Sequence, residues 1–291
     1  RRIRELGKGV LTDDANKPIN RELYPRRKGE IAKSILEIER AAQSQSQFSK
    51  GQQEAVAALN TYRYLCGLPY RVTLDKRLCE GAQKAADGCA KIGRLSHDVN
   101  TAAGKCNLGR VSLSSAVHDF MNDPGESNRE HRGHRQWCLS PKMGKVGFAQ
   151  SLSEGLGRSS FPFSAMWVWD KSGRNPRYAD NFFTYPSSGF FPTEYLKRGT
   201  AWSVYFPEGK LPPKSQIELK VFEIGKELKG VPSKKFDPPN STEVKINYLS
   251  TDKSILPCIN FEPATKVAPG KRYWVRVKAG RAKIGYLVEF Y

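Results

Sequence analysis

Two hydrophobic periods divide this sequence, and the change from one to the other constrains the fold more than any single motif. From Gly51 to about Asp123, apolar residues recur at three- and four-residue steps, the spacing that gives a helix one buried face. "GQQEAVAALNTYRYLCGL" places Val56, Leu59, Tyr62 and Leu65 on one side and stops at Gly67. "TLDKRLCEGAQKAADGCAKIG" repeats the pattern with Leu74, Leu78, Ala82, Ala85 and Cys89, and Thr73 or Asp75 supplies its N-cap. A third helix is predicted at "SLSSAVHDFMND", where Leu113, Val117, Phe120 and Met121 share a stripe and Pro124-Gly125 ends it. The short runs "KVGFAQSL" and "FSAMWVWD" then read as strands. Beyond about residue 185 the helical period disappears. "AWSVYFPEG", "QIELKVFEIG", "STEVKINYLS", "RYWVRVKAG" and "KIGYLVEFY" are β-rich segments punctuated by Pro, Gly and Lys, which predicts an antiparallel sandwich. The expected organisation is therefore an N-terminal helical extension and linker at 1–50, a mixed α+β domain at 51–184 and a β-sandwich at 185–291, joined through "YPSSGF".

A chain of 291 residues has room for about two domains. Hydrophobic residues at 38% and aromatics at 11% are enough for packed cores, which excludes global disorder. No run approaches the ~18 apolar residues a membrane helix requires. The opening "RRIRELGKGV" lacks both an initiator Met and an apolar h-region, so the expectation is a mature or trimmed product. The net charge of +19 is dispersed: Lys and Arg outnumber Asp and Glu by 5 in residues 1–50, by 6 in 51–180 and by 8 in 181–291. A nucleic-acid-binding domain concentrates its basic residues on one helix or stripe, so nucleic acid is not the expected partner. Diffuse positive charge instead favours polyanions such as cell-wall polymers or anionic lipid surfaces. The six cysteines contain no C-x-x-C pair, and five of them fall between residues 66 and 138. In an exported protein they would form two or three disulfides; otherwise they are buried thiols packing as small apolar groups.

The segment "ALNTYRYLCGLPYRVTLDKRLCEGAQKAADGCAKIGRLSH" resembles the opening of the CAP superfamily, which unites cysteine-rich secretory proteins, antigen 5 and plant pathogenesis-related 1 proteins. "GHRQWCLSPKMGKVGF" is similar to a stretch of bacterial members, and "FSAMWVW" to the strand that follows it. The resemblance covers roughly residues 51–180. It implies a three-layer α-β-α sandwich, secretion, and a cleft that in many members holds two histidines and two acidic residues. Carried over residue by residue, that site is depleted. His97 of "LSH" fits the first histidine, but Cys106 stands where the family has a glutamate, while Asn107 beside it is kept. Asp123 is the nearest candidate for the second acid, and Pro162 occupies the place of the second histidine. Metal binding needs three or four converging ligands, so no metal and no other cofactor is expected unless a Cys106 thiolate rebuilds the site.

The stretch "NREHRGHRQWCLSP" gathers further candidates, Glu130 and His134. Either these groups order a junction between helix and strand, or His97, Glu130 and His134 line one cleft as acid–base groups. A thiolate at Cys106 or Cys138 partnered by His97 or His134 would need an electropositive, accessible setting. No G-x-S-x-G turn is present for a serine nucleophile. His118 is expected at a helix surface or boundary. Trp167 or Trp169 would serve either as core or as an apolar wall suited to a lipid or sugar face. The region after 185 has no histidine, resembles an immunoglobulin-like module, and carries Lys271, Arg272, Arg276 and Lys278 as a basic edge. The resulting expectation is a secreted, periplasmic or cell-surface protein that binds a cell-wall polymer, anionic lipid or protein partner through a degenerate site. A hydrolase using His97 with nearby acids and His134 is the alternative.

Overall fold

The computed structural model describes residues 19–125, 128, 131–153, 160–173, 182–207, 209, 211–225, 228, 238 and 241–291. They fall into two compact units, one comprising residues 37–64 and 68–177, the other 65–67, 178–291 and the described residues up to Leu36.

Helices α1 (Lys28–Gln43) and α2 (Lys50–Leu65) come first. Val56, Leu59, Tyr62 and Leu65 of α2 are all buried, as the three- and four-residue spacing requires. The chain reverses at Gly67, whose φ of 73° only a residue without a Cβ adopts freely, and the Leu68 N–H bonds back to Arg63 O at 2.8 Å. Strand β1 (Thr73–Leu74) leads into α3 (Lys76–Ile92), and Asp75 is the residue that caps it, accepting from Leu78 N at 3.2 Å. Gly93, at φ 69°, closes the other end. Next come β2 (Cys106–Gly109), α4 (Leu113–Asn122), a short α5 (Gly133–Cys138), β3 (Lys145–Leu152) and β4 (Pro162–Trp167).

The sheet of this first unit has the order β1-β3-β4-β2, with β1 parallel to β3 and the remaining pairs antiparallel. Helix α3 covers one face. Its small residues Ala82, Ala85, Ala86 and Cys89 meet Cys106, Leu108, Ala149, Phe163 and Ala165 in one buried cluster. The approach is close enough that a Cβ on Gly147 would lie 2.0 Å from the Leu78 carbonyl carbon. Alternation along the strands sends the intervening side chains to the opposite face. There Gln150 accepts from Leu113 N of α4 at 2.7 Å, and the Cys138 thiol of α5 meets Met166 Sδ at 3.8 Å. The result is the three-layer α-β-α sandwich, and helices on both faces explain why Phe163, Ser164, Ala165 and Met166 are buried without interruption. Each large apolar side chain enclosed here contributes about 1.5–3 kcal/mol over its exposed state.

The second unit is a β-sandwich. One sheet has the order β10-β11-β7-β5 and the other β6-β13-β12-β8-β9, from β5 (Phe183–Tyr185), β6 (Gly189–Phe191), β7 (Trp202–Tyr205), β8 (Ile217–Glu223), β9 (Thr242–Val244), β10 (Ile246–Asp252), β11 (Cys258–Pro263), β12 (Arg272–Ala279) and β13 (Ala282–Phe290). Trp202 of the first sheet meets Tyr273 and Phe290 of the second, with ring centroids 5.9 and 6.0 Å apart, so aromatics bridge the layers. The outer face of the second sheet is closed by the chain just before α1: Leu23 packs with Phe222, Ile224, Trp274 and Leu287. Tyr24 stacks on Phe190 and donates its hydroxyl to Glu289 at 2.6 Å.

Two expectations are corrected. The six cysteines form no disulfides; all are buried thiols that pack as small apolar groups. Cys89 and Cys106 line the α3 cluster, Cys138 lies on the other side of the sheet, and Cys258 is in β11 of the second unit. The basic residues near β12 do not form an edge, since β12 pairs with β13 on one side and β8 on the other. Their charges are matched locally, Lys271 by Glu223, Arg272 by Glu289 at 3.1 Å and Lys278 by Glu218 at 2.8 Å. Strands β5 and β6 have no counterpart among the expected segments because each is only three residues long, and β11 has none although Ile259, Asn260, Phe261 and Glu262 alternate apolar and polar.

Candidate functional site

The polar stretch around His134 resolves into a clamp between two helix ends. Helix α4 finishes at Asn122, leaving carbonyls without helical partners, and the two arginines of "HRGHR" take them. Arg135, fully buried, donates Nε to Met121 O at 2.6 Å and Nη2 to Asn122 O at 3.4 Å, while Arg132 Nη1 donates to Asp123 O at 2.6 Å. Cations at this end also complement the helix dipole. Asp123 then turns the chain with φ 48°, a left-handed conformation that Asp tolerates better than most residues. Its carboxylate points at the first turn of α5, accepting from His134 N at 3.1 Å and meeting His134 Nδ1 at 2.9 Å. A carboxylate can only accept, so the ring donates from Nδ1. Asp123 is fully buried, whereas a quarter of the His134 side chain (24%) remains exposed.

Asn107 of β2 joins the same group, donating its amide to His134 O at 2.9 Å and meeting Cys138 Sγ at 3.8 Å. Burial, and after it the charge of Asp123, push the Cys138 thiol well above its ordinary range, so it does not supply a thiolate near neutrality. Arg63 of α2 ties the far end of α5 to the rest of the unit. It donates Nε to Pro69 O at 2.7 Å, and Nη1 to Cys138 O and Ser140 O at 2.9 and 2.8 Å. Reasoning from sequence passed over Arg63, although an arginine within the apolar stripe "NTYRYL" is a signal that a guanidinium is being buried for its hydrogen bonds.

The other candidates lie elsewhere. Cys106 is one residue from Asn107 on β2, so its side chain turns to the opposite face and enters the α3 cluster. Burial there pushes its thiol up to about 12, with a smaller push from Cys89. His97 is in the segment after α3, exposed, with Nδ1 2.9 Å from Ala103 O of that same layer. Glu130 lies outside the described residues. His118 of α4 is half-buried, with its ring nitrogen 2.9 Å from the Tyr62 hydroxyl. Thus Asn107, Asp123 and His134 converge, while His97 and Cys106 associate with the α3 side.

A metal of the kind the CAP resemblance implies does not fit this arrangement. Its four positions hold Pro162, a Cys106 buried against α3, an Asp123 engaged by His134, and His97 on the other layer. Among the described residues no group of three or more His, Cys, Asp or Glu could hold a metal ion. The first unit does offer a cleft of about 440 Å³, lined by Asp87, Ala90, Lys91, Ser151 and Leu152 at the C-terminal half of α3. No helix among the described residues is long and apolar enough to cross a membrane.

Residues 56–169 match the family model described as CAP, the cysteine-rich secretory protein family. No curated protein and no solved structure matches the chain.

Proposed function

We propose that this protein acts at the cell envelope, as a secreted, periplasmic or surface protein, by binding a glycan, lipid or protein partner; the match of residues 56–169 to the CAP family model supports this reading. The observation that carries this reading is the separation of the acid–base candidates. The Asp123 carboxylate is occupied by the backbone and ring of His134, while His97 and Cys106 keep to the α3 layer. What remains on the surface suits contact rather than chemistry. Leu152 and Phe161 are 57% and 45% exposed, Leu152 lines the cleft, and Arg110 lies over the Phe161 ring at 4.3 Å. The immunoglobulin-like reading of the second unit gives it the role of spacer or adhesion platform.

The test is co-sedimentation of the purified chain with isolated wall polymers and with anionic vesicles across a range of salt concentrations. Association that weakens as salt rises is expected; no association with any of them at low salt sinks the reading. One observation favours a hydrolase as the second reading, namely the imidazole at 2.9 Å from a buried carboxylate with part of its ring exposed. That version requires turnover of peptide or glycan substrates that disappears in His134→Gln. Wild-type protein without turnover on either class eliminates it.

A further inference from the structure

Trp169 lies two residues beyond β4 and is 57% exposed, yet the chain on both sides of it is fixed. Before it, Trp167 donates its indole N–H to Trp169 O at 3.3 Å, and Val168 N donates to Lys105 O at 3.0 Å. The Trp167 ring itself is seated on α3 at Gly81, where an added Cβ would lie 2.6 Å from the indole. After it, the Asp170 carboxylate accepts the N–H groups of Gly144, Lys145 and Ser172 at 2.8, 2.9 and 3.2 Å, and the Ser172 hydroxyl at 2.8 Å. Burial alone would push that carboxyl up, but the four hydrogen bonds outweigh it and hold the group below its ordinary range, so the loop is anchored by a charged acceptor. Lys105 stands over both rings, its Nζ 5.4 Å from the Trp167 centroid and 5.9 Å from that of Trp169. Its own position is set by the turn before β2, where Asn100 accepts from Ala103 N at 2.9 Å and His97 meets Ala103 O.

We propose that Trp169, Trp167 and Lys105 form a subsite for an acidic glycan. The inference rests on the binding reading above and names its ligand class and place. An exposed indole presents a flat apolar face that matches the C–H face of a pyranose ring, and its rigid mounting means that little conformational entropy is lost on contact. A ligand stacked there brings its substituents to the Lys105 ammonium, which selects a carboxylate-bearing sugar over a neutral one. The net charge of +19, spread over the chain, favours association with polyanions in general. A lipid chain fits poorly, because it would be enclosed by a deep apolar pocket rather than laid on an open ring beside a cation.

Tryptophan fluorescence and calorimetric titration with oligogalacturonate, neutral chitohexaose and vesicles containing phosphatidylglycerol test this directly. The wild-type chain should bind oligogalacturonate in preference to chitohexaose, with a change in indole emission. Trp169→Ala should weaken that binding about tenfold, and Lys105→Gln about threefold with a shallower salt dependence. Both variants alter surface side chains, so unchanged circular dichroism serves as the folding control. If wild type binds oligogalacturonate but neither variant differs from it, the subsite is wrong while the envelope-binding reading stands. Equal affinity for chitohexaose, or a Trp169→Ala loss confined to vesicles, also overturns the subsite. If wild type binds neither these ligands nor wall polymers, both proposals fall.

Discussion

Replacing Asp123 by alanine removes three separate contributions at one buried position. The first is the cap on α5, the 3.1 Å bond from His134 N, and caps of this kind contribute about 1 kcal/mol. The second is the acceptor for His134 Nδ1, whose loss leaves a largely enclosed donor unsatisfied at a cost of about 1–2 kcal/mol. The third is conformational: at φ 48° alanine has no side-chain oxygen to offset the left-handed backbone, which adds up to about 1 kcal/mol. The expected destabilisation of the first unit is therefore about 3 kcal/mol. Asp123→Asn retains tolerance of the left-handed turn and one oxygen for His134 N, so it should cost only about 1 kcal/mol. Urea unfolding followed by far-UV circular dichroism gives the free energies, and hydrogen exchange of peptides spanning 113–143 localises them. The alanine variant should exchange faster at the end of α4 and throughout α5, with little change in the second unit. An alanine variant within about 0.5 kcal/mol of wild type, or an asparagine variant as unstable as the alanine one, would refute the clamp argument.

Three further outcomes follow from the same structure. Gly147→Ala should destabilise the first unit by about 3 kcal/mol in the same unfolding assay, because its Cβ would lie 2.0 Å from the Leu78 carbonyl carbon and 2.4 Å from Cys79 N, both backbone atoms of α3. Asp75 is held below its ordinary carboxylate range first by the Leu78 N–H and also by Lys145. Its ionised form therefore stabilises the fold at pH values above the unfolded carboxylate range, and this contribution disappears as the pH falls through and below that range. Asp75→Asn should cost about 0.5 kcal/mol near neutrality after allowance for screening, and the gap to wild type should close in acid, as measured by stability at several pH values. All six thiols are buried and burial pushes Cys106 up to about 12, so a thiol reagent at mildly alkaline pH should leave the folded chain unmodified and react with all six sites in urea. Rapid native labelling of Cys106 would contradict its position in the α3 cluster.

The sequence alone determined the elements whose periodic spacing is strong. Val56, Leu59, Tyr62 and Leu65 had to share a helix face, and Ala82, Ala85 and Cys89 marked a second helix with side chains small enough for close packing on a sheet. Motif order pointed to the stretch that matches the CAP family model for the same reason, since those spacings are local properties of the chain. Local spacing does not specify which face of the sheet a strand residue meets. Only the tertiary structure turned Cys106 towards α3 and Asn107 towards His134, two neighbours sent apart by strand alternation. Likewise, Asp123 and His134 are eleven positions apart, and they meet only because α4 and α5 pack with their ends in register. Leu23 and Trp274 lie farther apart still, and their contact depends on a sheet face that exists only after both hairpins of the second sheet have formed. Helical and strand periods are written residue by residue, whereas a site assembled across layers is decided by packing that no local stretch encodes.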